Sequence, residues 1–152
     1  MRIFVFLHVL TMFTAVAFSG GIDTLLLSVA RTGDVRAVRT AFGVHRRFET
    51  LIPAAFVIGL VFGLIAIFAE GFNPFQAWLL LAYPLFVLGI LVGALGLGRW
   101  TTRVRLAAAD APDDGSPALN AALADPTARR AFIVFWLLIV AIIFVMITKP
   151  LS

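Results

Sequence analysis

Four long stretches of the chain, residues 3–30, 50–69, 75–98 and 131–148, are almost continuously apolar, and the polar positions gather in a short connector and in two basic segments, 31–49 and 99–130. Each stretch supplies roughly 18 to 25 mostly uncharged residues, which at a helical rise of about 1.5 Å per residue covers a hydrocarbon layer of about 30 Å. The pattern predicts an all-α fold, a four-transmembrane-helix antiparallel bundle that occupies residues 1–152 as a single integral membrane domain. The two basic segments are expected to be loops.

The charge pattern orients the bundle. Ten of the 12 basic residues lie in the two segments: Arg31, Arg36, Arg39, Arg46 and Arg47 in the first, Arg99, Arg103, Arg105, Arg129 and Arg130 in the second. The positive-inside bias places both on the cytoplasmic side of a bacterial inner membrane and both termini outside, with Arg2 and Lys149. Trp100 and Trp136 then fall near the inner interface and Trp78 near the outer one. Arg2, the apolar run after it and Ala15-Val16-Ala17 imitate a cleavable signal peptide. Cleavage would need an N-inside start, which sends the first basic segment across the membrane, so the first span is read as uncleaved.

Composition narrows the classes further. With 62% apolar residues and a mean hydropathy of +1.06, too little polar surface remains to solvate a globular particle. The absence of cysteine excludes disulfides, thiolate metal sites and cysteine nucleophiles. The calculated pI of 11.1 reflects arginines beside membrane spans, not a nucleic-acid surface, so no nucleic-acid partner is expected.

Glu70-Gly71-Phe72-Asn73-Pro74 forms a tight outer turn that should make spans two and three neighbours. Gly59 and Gly63, preceded by Ala55, and Gly89 and Gly93 form small-residue stripes expected to close that seam. Span four is bulky all round and is expected at the periphery, facing lipid or another subunit; Asp125 should cap it with Pro126 at its first position. Residues 110–117, rich in Asp, Pro and Gly, read as a flexible loop.

Span one carries a polar stripe. Thr11, Ala15, Ser19 and Asp23 fall within about 60° of His8 on a helical projection, with Met12 in the same arc. Ionisable groups in a span face the bundle interior or a wet cavity and are functional candidates. The structural alternatives are His8 in the headgroup zone and Asp23 paired with Arg39 first or Arg31 second. Gly20-Gly21 is a candidate break that would let Asp23 cap a second segment.

Catalytic constellations are absent: there is no His-Glu-x-x-His helix, no Gly-x-Ser-x-Gly elbow and no phosphate-cradling glycine loop. A bis-histidine haem fails within one subunit, because the topology puts His8 near the outer face and His45 at the inner one. The metal chemistry left open is a copper site on which His8, Met12 and Met146 converge from the outer side, imidazole and thioether being suited to that ion. Methionine in such a helix is more often a gap-filler, so no cofactor is predicted outright. His45 reads as an interfacial loop residue.

Phe6-Leu7-His8-Val9-Leu10, the late glycine pair of span one, Arg46-Arg47-Phe48-Glu49 before span two and Ala77-Trp78-Leu79-Leu80-Leu81-Ala82-Tyr83 in span three together resemble a bacterial family of predicted integral membrane proteins, domain of unknown function 2269. The resemblance covers roughly residues 3–100 and implies a four-helix inner-membrane protein without an established activity. The chain is more distantly similar to the membrane part of copper-resistance D proteins, from which His8 alone carries over; the later histidines of such a site have no match here.

The sequence therefore leads us to expect a non-enzymatic accessory, assembly or interaction subunit, with the lipid bilayer and either a membrane-protein partner or a homo-oligomer as its contacts. The alternative is a small transport or metal-handling module, related to copper or haem, that uses the stripe of the first span and oligomerises to enclose a path.

Overall fold

The structure is a computed structural model and describes residues 2–150. Helices α1 (Ile3–Thr32), α2 (Val35–His45), α3 (Leu51–Ala69), α4 (Ala77–Val92), α5 (Arg99–Asp110), α6 (Pro117–Leu123) and α7 (Pro126–Thr148) follow one another, with a short 3₁₀ turn at Arg46–Phe48 and a π-helical segment at Gly93–Gly98. No strand occurs among the described residues. Four of the helical runs are long and apolar enough to cross a membrane. Their lipid-level faces carry large exposed apolar side chains, such as Phe13, Phe68, Leu137 and Phe144.

α1 is unbroken, so Gly20-Gly21 does not start a second segment. It ends at Gly33, whose φ of +69° is the left-handed conformation that glycine adopts without strain. Asp34 then caps α2 by accepting from the backbone N–H groups of Arg36 and Ala37. At the far end of the molecule, α3 closes in a Schellman motif: the Phe72 N–H donates to the Ile67 carbonyl, the Gly71 N–H donates to Phe68, and Gly71 has a φ of +73°. Asn73 and the Tyr83 hydroxyl secure the turn that follows, through the Phe75 N–H and the Pro74 carbonyl. Asp125 accepts from the Thr127 N–H with Pro126 at the first position of α7, as its sequence indicates.

The helices pair differently from the order along the chain. α1 packs along α3 and α4 along α7, while α3 and α4 touch only marginally despite the tight turn between them. The expectation of a seam between spans two and three is thus corrected. A Cβ added to Gly89 or Gly93 would meet nothing within 4 Å, whereas Gly59 and Gly63 lie against side chains of α1. Span four is not peripheral either. α7 buries Phe135, Ile139 and Val145 and also reaches α1, where Trp136 fills the space over Gly20.

The two basic segments are not loops. α2, α5 and α6 form a layer over one end of the bundle, called here the basic end. Val35, Val38 and Phe42 of α2 meet Trp100, Val104 and Ala108 of α5, closed by Leu26, Leu119 and Ala128. Trp100 is 1% exposed, stacks edge-on against Phe42 with centroids 5.3 Å apart, and donates its indole N–H to the Ala122 carbonyl. It is a core residue, not a membrane-interface anchor. Burying side chains of this size contributes on the order of 1.5–3 kcal/mol each. Residues 110–117, expected to be flexible, are tethered: Arg36 donates to Asp113 through Nε at 3.1 Å and Nη2 at 2.6 Å. At the opposite end, Ile67, Trp78, Leu79, Ala82 and Val145 form a smaller cluster, roofed by Phe72 and by Lys149, whose Nζ lies 4.7 Å from the Phe72 ring centre.

Candidate functional site

The polar stripe of α1 faces α3 where α3 has no side chains. His8 Nδ1–H donates to the Gly59 carbonyl at 2.7 Å; the acceptor is a carbonyl, so Nδ1 carries the proton. A Cβ on Gly63 would lie 2.7 Å from His8 Nδ1, and one on Gly59 would lie 3.0 Å from Met12 Sδ. His8 and Met12 are one turn apart on α1, as Gly59 and Gly63 are on α3, so two side chains enter two backbone hollows in register. Gly89 and Gly93 share the same four-residue spacing, so the sequence alone does not select this contact.

Further along the stripe each polar group is satisfied close to home. The Thr11 hydroxyl donates to the Leu7 carbonyl at 2.7 Å, and the Ser19 hydroxyl donates to Asp23 Oδ2 at 3.2 Å. Asp23 is 8% exposed and has no cation within ion-pair distance among the described residues. Its expected pairing with Arg39 or Arg31 is not formed. Arg39 instead donates to the carbonyls of Ala108 at 3.1 Å and Ala111 at 2.8 Å, capping the C-terminus of α5, and reaches Asp113 at 3.4 Å. Sequence reasoning missed this role because Arg39 and Ala108 are far apart in the chain.

Electrostatics at the basic end are local. Hydrogen bonds from Arg36 hold the Asp113 carboxyl below its usual range, with Arg39 assisting. Hydrogen bonds from Thr127 do the same for Asp125, which also pairs with Arg103 at 2.6 Å. Burial pushes His45 down from its ordinary value; Glu49, 3.9 Å away, opposes the shift, and Arg105 adds to it.

The three donors of the candidate copper site are held in two places. His8 and Met12 sit in the α1–α3 seam, whereas Met146 packs against the cluster of Ile67, Trp78, Leu79, Ala82 and Val145. Among the described residues no group of three or more His, Asp or Glu side chains could hold a metal ion.

Four apolar helical spans, a charged layer at one end and span polar groups hydrogen-bonded within the chain define an integral membrane protein of the helical-bundle class. The chain belongs to the family described as predicted integral membrane proteins, DUF2269, which matches residues 2–150 and so takes in the basic-end layer as well as all four spans. Comparison with curated proteins and with solved structures returns no match.

Proposed function

We propose that this chain is a non-enzymatic accessory or interaction subunit of a membrane complex, seated in a bacterial inner membrane with its basic end in the cytoplasm. The observation that carries this reading is how little of itself the bundle covers: only 11–17% of the residues in the apolar window of each span are buried inside the chain. Such spans present long apolar faces to lipid or to other helices. The α1 stripe supports the same reading, because His8, Thr11, Ser19 and Asp23 each have a hydrogen-bond partner inside the chain.

Purification in a mild detergent, followed by identification of stoichiometric companions, tests the role. A defined second membrane protein retained through two chromatographic steps is the expected result. A lone monomer that carries a stoichiometric metal or a haem absorption band would favour the transport or metal-handling reading instead. Orientation is checked with single cysteines at two exposed sites, Asp114→Cys at the basic end and Phe75→Cys in the opposite turn. Only Phe75→Cys should react with an impermeant thiol reagent applied from outside the cell.

A further inference from the structure

Two grooves flank the first turns of α7 at the basic end. One, of about 760 Å³, runs between the π segment with α5 and α7, and Arg99 and Arg103 line it. The other, of about 210 Å³, runs between α1 and α7, and Arg31 and Arg129 line it together with Thr24, Ser28 and Ile133. The two differ in charge compensation. In the larger, Arg103 is neutralised by Asp125 at 2.6 Å. In the smaller, neither Arg31 nor Arg129 has a carboxylate within ion-pair distance among the described residues. Two uncompensated guanidinium groups from two different helices thus share one concave site.

The smaller groove also has a graded wall. Toward the spans it is apolar, with Ile133 49% exposed. Thr24 lies on that span side as well, while toward the basic end the wall carries Ser28 and the two arginines, the charged groups sitting where an apolar span gives way to polar sequence. That order matches a phospholipid seen from the side, with acyl chain beside Ile133 and phosphodiester beside the arginines. Guanidinium forks suit phosphate oxygens, and basic pockets between transmembrane helices recruit anionic head groups. We propose that the α1–α7 groove binds the phosphate head group of an anionic phospholipid, with Arg31 and Arg129 as its two anchors. The site is independent of whether the chain works as an interaction subunit.

The test uses the full-length chain in mild detergent, with phosphatidylglycerol titrated against phosphatidylcholine and bound lipid counted by native mass spectrometry. Phosphatidylglycerol should bind in preference. Each surface arginine supplies about a five-fold gain in affinity for an anionic lipid, so Arg31→Gln with Arg129→Gln should weaken binding roughly 25-fold. Arg46→Gln with Arg47→Gln, which removes the same charge elsewhere at the same end, should leave it within about two-fold of the parent. Thr24→Trp fills the groove without touching either charge and should also abolish binding, which keeps the test valid if the arginine variants fold poorly. Equal losses from the two double variants would reduce the effect to general surface charge and overturn the site. So would undiminished binding in Thr24→Trp, or displacement of the lipid by inorganic phosphate at low millimolar concentration, which would mark a site for the free anion.

Discussion

Replacing Gly63 with alanine probes the α1–α3 seam at its tightest point. The added methyl would sit 2.7 Å from His8 Nδ1, against an ordinary non-bonded contact of about 3.5 Å, so the ring must retreat by about 0.8 Å. A retreat of that size breaks the 2.7 Å hydrogen bond to the Gly59 carbonyl. The lost bond costs about 0.6 kcal/mol, up to about 1.7, on measured intramembrane scales. Overpacking adds about 1–3 kcal/mol. Alanine's better helix propensity returns up to about 1 kcal/mol, leaving a net destabilisation of about 1–3 kcal/mol. Gly89→Ala is the internal control: its methyl meets nothing, so the propensity gain stands alone and the variant should match or exceed the parent. Reversible unfolding in mixed micelles, followed by circular dichroism, reads both. A double-mutant cycle with His8→Ala removes the obstacle and should recover about 1 kcal/mol or more of the Gly63→Ala loss. The reasoning is refuted if Gly63→Ala is as stable as the parent, or if its cost is unchanged once His8 is gone.

Asp23→Asn keeps an acceptor for Ser19 and breaks no ion pair, so it should shift stability by less than about 1 kcal/mol, while Arg39→Gln, which uncaps α5, should cost about 1.5–3 kcal/mol. The two should be additive in the same unfolding assay, and coupling between them would contradict the described partners. Trp100→Ala should cost about 3–5 kcal/mol and raise the susceptibility of α2 and α6 to limited proteolysis; intact protection at wild-type levels would show that the layer stands without its core. Because burial lowers the folded-state value of His45, the unfolded chain takes up a proton first as pH falls below about 6.5, and stability should decline between there and the lower folded value. His45→Gln should flatten that decline, and an unchanged pH profile would remove His45 as its source. Asp113 acts lower on the scale: its support is present above the ordinary carboxylate range and is lost as pH falls through its depressed value.

The spans were legible because a bilayer demands length and apolarity, and both are visible in a single sequence. Which spans pair was not. Glycines at Gly59, Gly63, Gly89 and Gly93 say that a backbone can be approached, without saying by what. The choice rests on His8 and Met12, which lie over Gly59 and Gly63 and not over Gly89 and Gly93, although both glycine pairs share their four-residue spacing. The basic-end layer was hidden by its own arginines. Their density reads as loop and topology signal, although Val35, Val38 and Phe42, and Trp100, Val104 and Ala108, follow the period of a helix with one apolar face. The stripe of α1 is visible in the sequence, but the partner of Asp23 is not, because nearness of charge along the chain does not imply nearness in space: Ser19 bonds Asp23, and Arg39 is drawn off by free carbonyls at the end of α5.

The π-helical segment at Gly93–Gly98 gives the molecule a property that no single contact conveys. In an uninterrupted α-helix Gly89 and Trp100 would point within about 20° of each other, because eleven residues make just over three whole turns. The wider π turn accommodates about one extra residue and so offsets everything beyond it by about 100°. That offset lets one helical run turn its membrane face toward α7 and its basic-end face toward α2. Mechanically it is a phase shifter: α4 and α5 are geared a quarter-turn apart, and the gear ratio is set by a count of residues rather than by any side chain. Deleting one residue between Gly93 and Gly98 would let the run close into an ordinary α-helix with Trp100 still directed at Phe42, since ten α-helical residues turn through the same angle as eleven that include the wide turn. Drawing all eleven into an α-helix would instead swing Trp100 about 100° away and carry the basic-end layer out of register with the membrane bundle.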